Sequence, residues 1–458
     1  MTATEFASID PATGETTRVW PAHTRDEVGA RLAAAQAAFL DWREVPVAER
    51  AAVLGRVADA MEARTEDLAL LATTEMGKPL RESRAEVAKC VGILRHYAVH
   101  APAGLAPVDV ATEAAHSFVR FDPLGVILAI MPWNFPYSQV VRAASTAIAA
   151  GNAVVLKHAP TTLGTGEAFA DVCAAAGLPE GVFTTLRVET DVAADVIVDD
   201  RVRGVAFTGS TRGGRAVAAL AAGAGKPTVL ELGGSDPFVV LEDADVARAA
   251  ATAVTARFVN AGQSCIAAKR FVVHRAVADA FTDAVRDAVG GLVVGDPKDE
   301  ATNIGPMARA DLRDELADQV ARSVAAGAEP VVTGGVRSGP GFFFVPSLLR
   351  GVTRDHAVGG EETFGPAAAI LVADSDDHAV ALANDTRYGL GASVWTADRA
   401  RGEAVAARLE AGNIGVNGVE RSDPRMPFGG VKDSGYGREL GVEGLRTFVN
   451  IKSVWAED

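Results

Sequence analysis

The sequence has few cysteines and no long hydrophobic run. Only three of its 458 residues are cysteine, Cys90, Cys173 and Cys265, and none stands in a C-x-x-C or Cys/His metal spacing. This excludes a disulfide framework and a cysteine-ligated metal, and it favours a reducing compartment. No apolar run reaches the roughly 18 residues of a membrane span, and residues 1–11 lack the basic start and apolar core of a signal peptide. We therefore expect a cytoplasmic protein without a metal.

Positive charge is also in short supply. The chain has 44 basic and 59 acidic residues, a formal net charge of −15. Such a balance argues against nucleic acid or an anionic membrane surface as a partner. The length exceeds the size at which one hydrophobic core keeps growing, so two or three domains are expected.

Two kinds of hydrophobic periodicity divide the chain. From Arg25 to about His100 apolar residues recur at helical spacing. From Ser117 onward short apolar runs alternate with helical stretches, in two successive regions of similar size. Strand, helix, strand in repetition predicts parallel sheets and an α/β fold. A last strand-like run, Thr447–Trp455, has nothing after it to pair with; it is interpreted either as a strand that docks on a partner subunit or as a simple edge strand.

Cys265 is the candidate nucleophile. It lies in the run Asn260-Ala261-Gly262-Gln263-Ser264-Cys265, between a helical stretch and a strand. A thiol at such a turn is open to a small carbonyl compound and close to backbone N–H groups that favour the thiolate. The alternative is a buried cysteine that acts as a small hydrophobe.

Two further residues carry suitable chemistry. Asn134 stands between two prolines in the run 132–136, and a rigidly held amide N–H is suited to stabilising an oxyanion. Glu231 ends the apolar run that begins at Thr228, and burial raises the pKa of a carboxyl group and suits it to general-base work. The alternative is that Glu231 caps a neighbouring loop.

Two strand ends are candidates for cofactor binding. Gly209 and Ser210 lie between a strand and a helix N-terminus, where free N–H groups and the helix dipole attract a phosphate. A plain N-capped turn would have the same pattern, which is not the G-x-G-x-x-G fingerprint. Lys157 ends another strand, where the carboxyl ends of parallel strands form a ligand crevice; an exposed lysine is the alternative.

Seven segments in order resemble the NAD(P)-dependent aldehyde dehydrogenase superfamily over nearly the whole length: PWNFP (132–136), LKHAP (156–160), FTGST (207–211), LELGG (230–234), NAGQSC (260–265), EETFGP (361–366) and PFGG-KDSGYGREL (427–440). Within it, LKHAP, SDPR-PFGG (422–430) and the short N-terminus most resemble bacterial succinate-semialdehyde dehydrogenases. The resemblance implies a Rossmann-like cofactor-binding domain (1–110 and 124–230), an α/β catalytic domain (231–425) and a small β oligomerisation element (111–123 and 438–458).

The resemblance also implies a role for individual residues. Cys265 would be the nucleophile, Asn134 the oxyanion donor and Glu231 the general base, with Glu439 helping to relay protons. The reaction would pass through a thiohemiacetal and a thioester on the cysteine. Five residues would hold the cofactor: Lys157 (adenosine ribose), Trp133 (cleft wall), Gly209 and Ser210 (pyrophosphate) and Glu362 (nicotinamide ribose).

The cofactor is expected to be NADP or NAD, with NADP favoured. NAD-preferring relatives often carry a glutamate three residues after the lysine, where it hydrogen-bonds the ribose 2′-OH. That position is Pro160 in this chain. Without the carboxylate a 2′-phosphate is not repelled.

The substrate carboxylate requires a cation at the far end of the pocket. Arg142 matches an arginine of mammalian succinate-semialdehyde dehydrogenases, whereas a second family arginine is replaced by Val259. Ser422 and Arg425 are added as candidates, because an arginine fork suits a carboxylate; each of the two is equally interpreted as a surface group.

Three functions follow from the resemblance. The first is oxidation of succinate semialdehyde to succinate, and the second is broad oxidation of other short aldehydes. A non-catalytic protein on the same scaffold is the third, but it would not require Cys265, Glu231 and Asn134 together. A coenzyme A-acylating enzyme is disfavoured because such relatives generally lack the base. The expected partners are a small aldehyde and further copies of the chain, as a homodimer or homotetramer.

Overall fold

A computed structural model describes residues 4–458. The chain opens with a hairpin that the sequence patterns did not predict, β1 (Glu5–Asp10) and β2 (Glu15–Pro21). At its turn the Asp10 carboxylate accepts the Ala12 N–H at 2.9 Å, and Gly14 adopts a φ of 80°. Glycine adopts this left-handed conformation without the steric cost of a Cβ.

The predicted helical segment forms four helices: α1 (Arg25–Trp42), α2 (Val47–Ala63), α3 (Thr65–Met76) and α4 (Leu80–Gly104). A capping box between Thr24 and Glu27 starts α1. The apolar side of α1 packs on one face of the first sheet, while α2 to α4 pack on the other. The segment therefore clamps that sheet from both sides.

The first sheet has six strands, all parallel except the first named. Across the sheet they are β19 (Gly435–Tyr436), β9 (Thr228–Glu231), β8 (Val202–Thr208), β5 (Val126–Met131), β6 (Ala153–His158) and β7 (Phe183–Thr185). Its helices are α5 (Ser138–Ala150), α6 (Leu163–Ala175), α7 (Thr190–Val198) and α8 (Thr211–Gly223). The carboxyl ends of β5, β6, β8 and β9 consequently lie along one edge, where ligands of open α/β sheets bind.

The second sheet has seven strands, antiparallel only at β12. Across the sheet they are β12 (Glu329–Val332), β15 (Ser347–Arg350), β16 (Ala367–Ala373), β11 (Ala268–His274), β10 (Asp236–Val240), β17 (Gly391–Trp395) and β18 (Asn413–Val416). Six helices accompany it: α9 (Val246–Phe258), α10 (Ala278–Gly290), α11 (Ala310–Ala325), α12 (Ala357–Gly360), α13 (Asp376–Asn384) and α14 (Arg399–Ala406). A short ribbon of β13 (Gly335–Val336) and β14 (Phe344–Val345) lies beside it.

Strand β10 was missing from the predicted elements, although it lies inside the second sheet and every residue of it is buried. It begins Asp236-Pro237, a pair that is typical of a turn. Proline is tolerated at the start of a strand because the pairing there is incomplete. The register with β11 does shift between these two residues.

The third sheet brings together the two segments assigned to the small β element, 111–123 and 438–458. The C-terminal strand β20 (Val449–Ala456) pairs antiparallel along the whole of β4 (His116–Pro123) and lies at the edge of that sheet, in agreement with the edge-strand interpretation. A short strand, β3 (Val108–Asp109), pairs with the other side of β4, and α15 (Gly441–Leu445) precedes β20. Ile451 and Trp455 on β20 remain 65% and 61% exposed. The predicted division into domains stays a prediction.

Within residues 4–458, none of the helices is both long and apolar enough to cross a membrane.

Candidate active site

The predicted site residues gather around a cavity of about 610 Å³ at the carboxyl edge of the first sheet. Trp133, Asn134, Gly209 and Ser210 line it from that sheet, and Leu312, Leu316 and Gln319 line it from α11. Cys265 and Glu362 also lie on its wall. Segments far apart in sequence therefore meet at one cavity large enough for a nucleotide cofactor.

The loop before Cys265 has an unusual backbone. Asn260 and Ala261 have φ values of 56° and 52°, and Gly262 has 71°. The left-handed region costs a residue with a Cβ about 1–2 kcal/mol, so neighbouring contacts must hold the loop. Glu82 on α4 accepts the Asn260 N–H at 2.7 Å, and the Asn260 side-chain amide donates to the Asn134 carbonyl at 2.8 Å. These bonds tie the cysteine loop directly to the turn that carries Asn134.

Cys265 is partly exposed toward the cavity. Burial nevertheless raises the pKa of its thiol to about 12, although Arg142 and Lys269 lower it. Burial therefore opposes formation of the thiolate, and the expectation that backbone N–H groups favour the thiolate stays a prediction. The backbone carbonyl of Cys265 accepts a hydrogen bond from the Lys269 ammonium at 2.8 Å.

Asn134 is buried in a firmly anchored turn. Its side-chain amide donates to the Gln263 carbonyl at 3.1 Å, within the cysteine loop. Immediately after the turn, Glu86 on α4 accepts the N–H groups of Tyr137 and Ser138 at 2.9 and 2.8 Å, where α5 begins. One amide hydrogen of Asn134 is thus engaged, while the residue itself lines the cavity beside Cys265.

Glu231 ends β9 in a fully enclosed setting. It is only 2% exposed, and neither carboxylate oxygen has a hydrogen-bond partner within the described chain. Burial, followed by the nearby Glu439, raises its pKa well above the ordinary value. Gly429 makes room for the side chain, because a Cβ there would stand 2.7 Å from Glu231 Oε1. The carboxyl group is near enough to Cys265 to raise the pKa of its thiol further, and it does not belong to the lining of the cavity.

Arg142 and Ser422 come together, as the sequence predicted. Arg142 Nη1 donates to Ser422 Oγ at 3.4 Å, and Arg142 Nε lies 2.8 Å from Glu439 Oε2, too poorly aligned for a hydrogen bond. All the same, this close charge pair lowers the pKa of Glu439, although burial raises it overall. Arg142 therefore links the predicted substrate end to the predicted proton relay.

Arg425 does not join this cluster. Its side chain is 78% exposed, and its guanidinium pairs with Asp423 at 2.6 Å, two residues back in the same loop. Local pairing in the loop satisfies the guanidinium and turns it to solvent. Of the two interpretations of Arg425, this exposure agrees with the surface charge rather than with a ligand of the substrate carboxylate.

The helix N-terminus at Gly209 and Ser210 has an unpartnered hydroxyl group beside it. Ser210 caps α8, with its Oγ accepting the Gly213 N–H at 3.2 Å, and the Thr208 hydroxyl beside it is buried without a partner in the described residues. Trp133 packs edge-on against Phe364, at 5.7 Å between ring centroids. This wall, with an open helix N-terminus, fits a dinucleotide.

Of the two remaining cofactor candidates, Glu362 lines the cavity and Lys157 does not. Glu362 lines the cavity and accepts the Gly234 N–H at 2.9 Å. It approaches so closely that a Cβ on Gly233 would lie 2.2 Å from its Oε2. Lys157 lies outside the lining of this cavity and has neither a hydrogen-bond nor an ion-pair partner in residues 4–458, and burial lowers its pKa.

Sequence reasoning missed Lys269, which has no exposed surface. Its ammonium donates to the Ser264 carbonyl as well as that of Cys265, and it lies 3.8 Å from Glu362. It thereby joins the cysteine loop to the predicted ribose ligand. The available signal was a Lys-Arg pair inside an otherwise apolar strand, because buried charges need partners.

Comparisons with known proteins agree with this geometry. The largely parallel sheets and the cavity at a carboxyl edge give the chain the architecture of an α/β protein with a nucleotide-sized cleft. A model of the aldehyde dehydrogenase family matches residues 1–454, so the chain belongs to that family. The predicted resemblance and fold class are confirmed.

Individual relatives match along nearly their whole length. The chain is 46% identical to "Succinate semialdehyde dehydrogenase [NAD(P)+] Sad" of Escherichia coli (strain K12), covering 99% of this chain and 98% of that one. It is 46% identical to a succinate-semialdehyde dehydrogenase [NADP(+)] of Mycolicibacterium paratuberculosis over 98% of this chain and 96% of the relative. A crystal structure of succinic semialdehyde dehydrogenase from Streptococcus pyogenes in complex with NADP+ superposes with a TM-score of 0.97, at 34% identity, covering 99% and 100%.

Proposed function

We propose that the chain oxidises succinate semialdehyde to succinate with NADP or NAD. The observation that carries the proposal is the convergence of Cys265, Asn134 and Glu362 on one cavity, with the buried Glu231 near enough to affect the thiol. The names of two relatives support the same substrate, because their alignments cover 98–99% of this chain and 96–98% of the relatives.

Cys265 acts as the nucleophile. The thiol first gives its proton to solvent. The thiolate then attacks the aldehyde carbon, and the oxyanion of the resulting tetrahedral adduct accepts a hydrogen bond from the side-chain amide of Asn134. Two-electron oxidation leaves a thioester on the sulfur. Glu231 then takes a proton from water, which attacks the thioester and releases the acid. A carboxyl group with a raised pKa and no competing donor is suited to take that proton.

The proton leaves Glu231 through Glu439. The two buried carboxyl groups interact, and Arg142 lowers the pKa of each. Because both cannot readily be ionised together, a proton gained by one favours ionisation of the other. This arrangement supports the proposed relay role of Glu439.

The cofactor supplies the two-electron oxidant when it is bound. Gly209 and Ser210 hold its pyrophosphate at the N-terminus of α8, Trp133 forms the cleft wall, and Glu362 holds the nicotinamide ribose. Lys157, an unpaired cation beyond the cavity, holds the adenosine ribose. NADP is the preferred form because Pro160 brings no carboxylate against a 2′-phosphate.

The far end of the substrate meets Arg142 and Ser422. A buried guanidinium with a neighbouring hydroxyl suits a carboxylate, and their contact at 3.4 Å supports a shared role. Broad oxidation of short aldehydes is the second candidate, favoured if Glu439 fully neutralises Arg142.

Steady-state kinetics test the proposal. Succinate semialdehyde and butanal, four-carbon aldehydes with and without a distal carboxylate, are compared with NADP and with NAD. The proposal requires kcat/KM to be at least about tenfold higher for the carboxylated aldehyde, the value of one added charged contact. Equal values would favour broad specificity, and Cys265→Ser is the inactive control.

We also propose that the chain is a cytoplasmic homodimer or homotetramer with the three-part domain division predicted above. Ile451 and Trp455 are large apolar side chains left exposed on the edge strand β20, which supports assembly through this strand. Light scattering of the wild type and of Trp455→Glu tests it, because the variant should dissociate.

A further inference from the structure

Lys89 is a cation on α4 without a counter-ion. Two buried lysines near the site are paired: Lys78 with Glu86, and Lys269 with two carbonyl groups and Glu362. Lys89 is partly buried, yet among residues 4–458 no acceptor lies within hydrogen-bonding or ion-pairing distance of its ammonium. Because burial of the side chain disfavours its charged form, an anion from outside the chain would stabilise this half-buried lysine.

The helix packing places Lys89 on the substrate side of the site. One turn before it on α4, Glu86 accepts the N–H groups of Tyr137 and Ser138 at the start of α5. One turn after Ser138 on α5 comes Arg142. Side chains one turn apart lie on the same helix face, so Lys89 and Arg142 each lie one turn from the contact between Glu86 and Ser138, on two helices that pack together.

The charges felt by Lys89 agree with that placement. Burial lowers its pKa to about 8, Arg142 lowers it further, and Cys265 is among the groups that raise it. At neutral pH the ammonium is still mostly protonated at such a pKa. Lys89 therefore lies in the field of both the predicted nucleophile and the predicted carboxylate ligand.

The nearby carboxylates are engaged elsewhere. Glu439 lies against Arg142, Glu86 pairs with Lys78, and Asp423 pairs with Arg425. His96 lies two turns after Lys89 on the same face of α4, and the charges of Asp423 and Arg425 affect its pKa, so the loop that carries Ser422 lies near this face. Lys89 is thus the positive charge that remains unmatched at this end of the site.

We propose that Lys89 binds the distal carboxylate of the aldehyde substrate together with Arg142 and Ser422, and thereby selects carboxylated aldehydes. The proposal rests on the proposed function. The second family arginine is replaced by Val259 in this chain, and Lys89 would supply a second cation to the pocket.

Variants of Lys89 test the proposal. Lys89→Met should lower kcat/KM for succinate semialdehyde about 10- to 100-fold, the value of a charged hydrogen bond, mainly through KM. Activity on butanal should stay within about threefold, since only uniform binding of the carboxylate is removed. Lys89→Arg should keep most of the wild-type preference. Arg95→Met removes an equal charge from the outer face of α4, where Arg95 pairs with Asp59 and Glu62, and should change neither substrate.

Calorimetry of succinate binding to Cys265→Ser, with and without Lys89→Met, gives a reading independent of turnover. The added substitution should weaken binding by the same factor. An equal loss of activity on both aldehydes, or unchanged succinate binding, would overturn the role of Lys89. Failure of the proposed function has a different signature, because the wild type itself would then not prefer succinate semialdehyde over butanal.

Discussion

Replacing Glu231 with glutamine should separate the two halves of the proposed reaction. The substitution keeps the size of a side chain that is 2% exposed and has no hydrogen-bond partner in the described chain. Formation of the thioester does not use Glu231, but its hydrolysis does. Since a general base contributes about 10²- to 10⁴-fold, kcat should fall by that factor. Rapid mixing should still yield one NADPH per site in an initial burst.

The same substitution should stabilise the fold in a pH-dependent way. Burial raises the pKa of Glu231 in the folded chain, so the folded protein keeps a proton that the unfolded chain releases above about pH 4.3. The free energy of unfolding of the wild type therefore falls as pH rises from there to the folded pKa, by up to about 1.4 kcal/mol per pH unit. Glutamine does not titrate and escapes this loss.

Urea unfolding at pH 5 and pH 8 measures the difference. The stability advantage of Glu231→Gln over the wild type should be larger at pH 8 than at pH 5, because the raised pKa of Glu231 destabilises only the wild type as pH rises. Glu75→Gln is the control: Glu75 is buried too, but it accepts the N–H groups of Gly164 and Thr165, each at 2.9 Å. That variant should lose about 1–3 kcal/mol. A fall in the amplitude of the NADPH burst in proportion to kcat would refute the reasoning. A Glu231→Gln variant that was less stable than the wild type at pH 8 would refute it as well.

Three further predictions concern the thiol, the amide and the cofactor. Because burial raises the pKa of Cys265 to about 12, iodoacetamide should inactivate the ligand-free protein slowly at pH 7, with the rate rising about tenfold per pH unit up to pH 10; a plateau below pH 9 would contradict it. Asn134→Ala should lower kcat about 10²- to 10³-fold with little change in the alkylation rate, and a parallel loss of alkylation would mean that the loop has moved. Pro160→Glu, at an exposed position, should lower the ratio of kcat/KM for NADP over NAD at least about tenfold, and an unchanged ratio would exclude position 160 as a determinant.

Much of the fold was predictable because the spacing of apolar residues shows which face of a helix or strand is buried. The helices from Arg25 onward and the alternation of strands and helices appeared in the sequence and in the structure alike. Strand β10 escaped because Asp236-Pro237 is typical of a turn, and only the neighbouring strands β11 and β17 make it a strand. The pairing of β20 with β4 joins segments more than 300 residues apart, a contact that no local pattern specifies. Only the family resemblance placed the two segments in one β element.

The sequence by itself determined the family and the identity of the reacting groups, because a thiol, an amide and a carboxyl in recognisable local runs keep their chemistry wherever they lie. Only the tertiary structure decided which groups are free to act. Pairing with Asp423 turns Arg425 to solvent, whereas burial leaves Glu231 unpaired and Cys265 protonated. It is also the packing of α4 on α5 that leaves Lys89 without a counter-ion near Arg142. Charge and solvation depend on neighbours in space, and those neighbours are set by packing rather than by order along the chain.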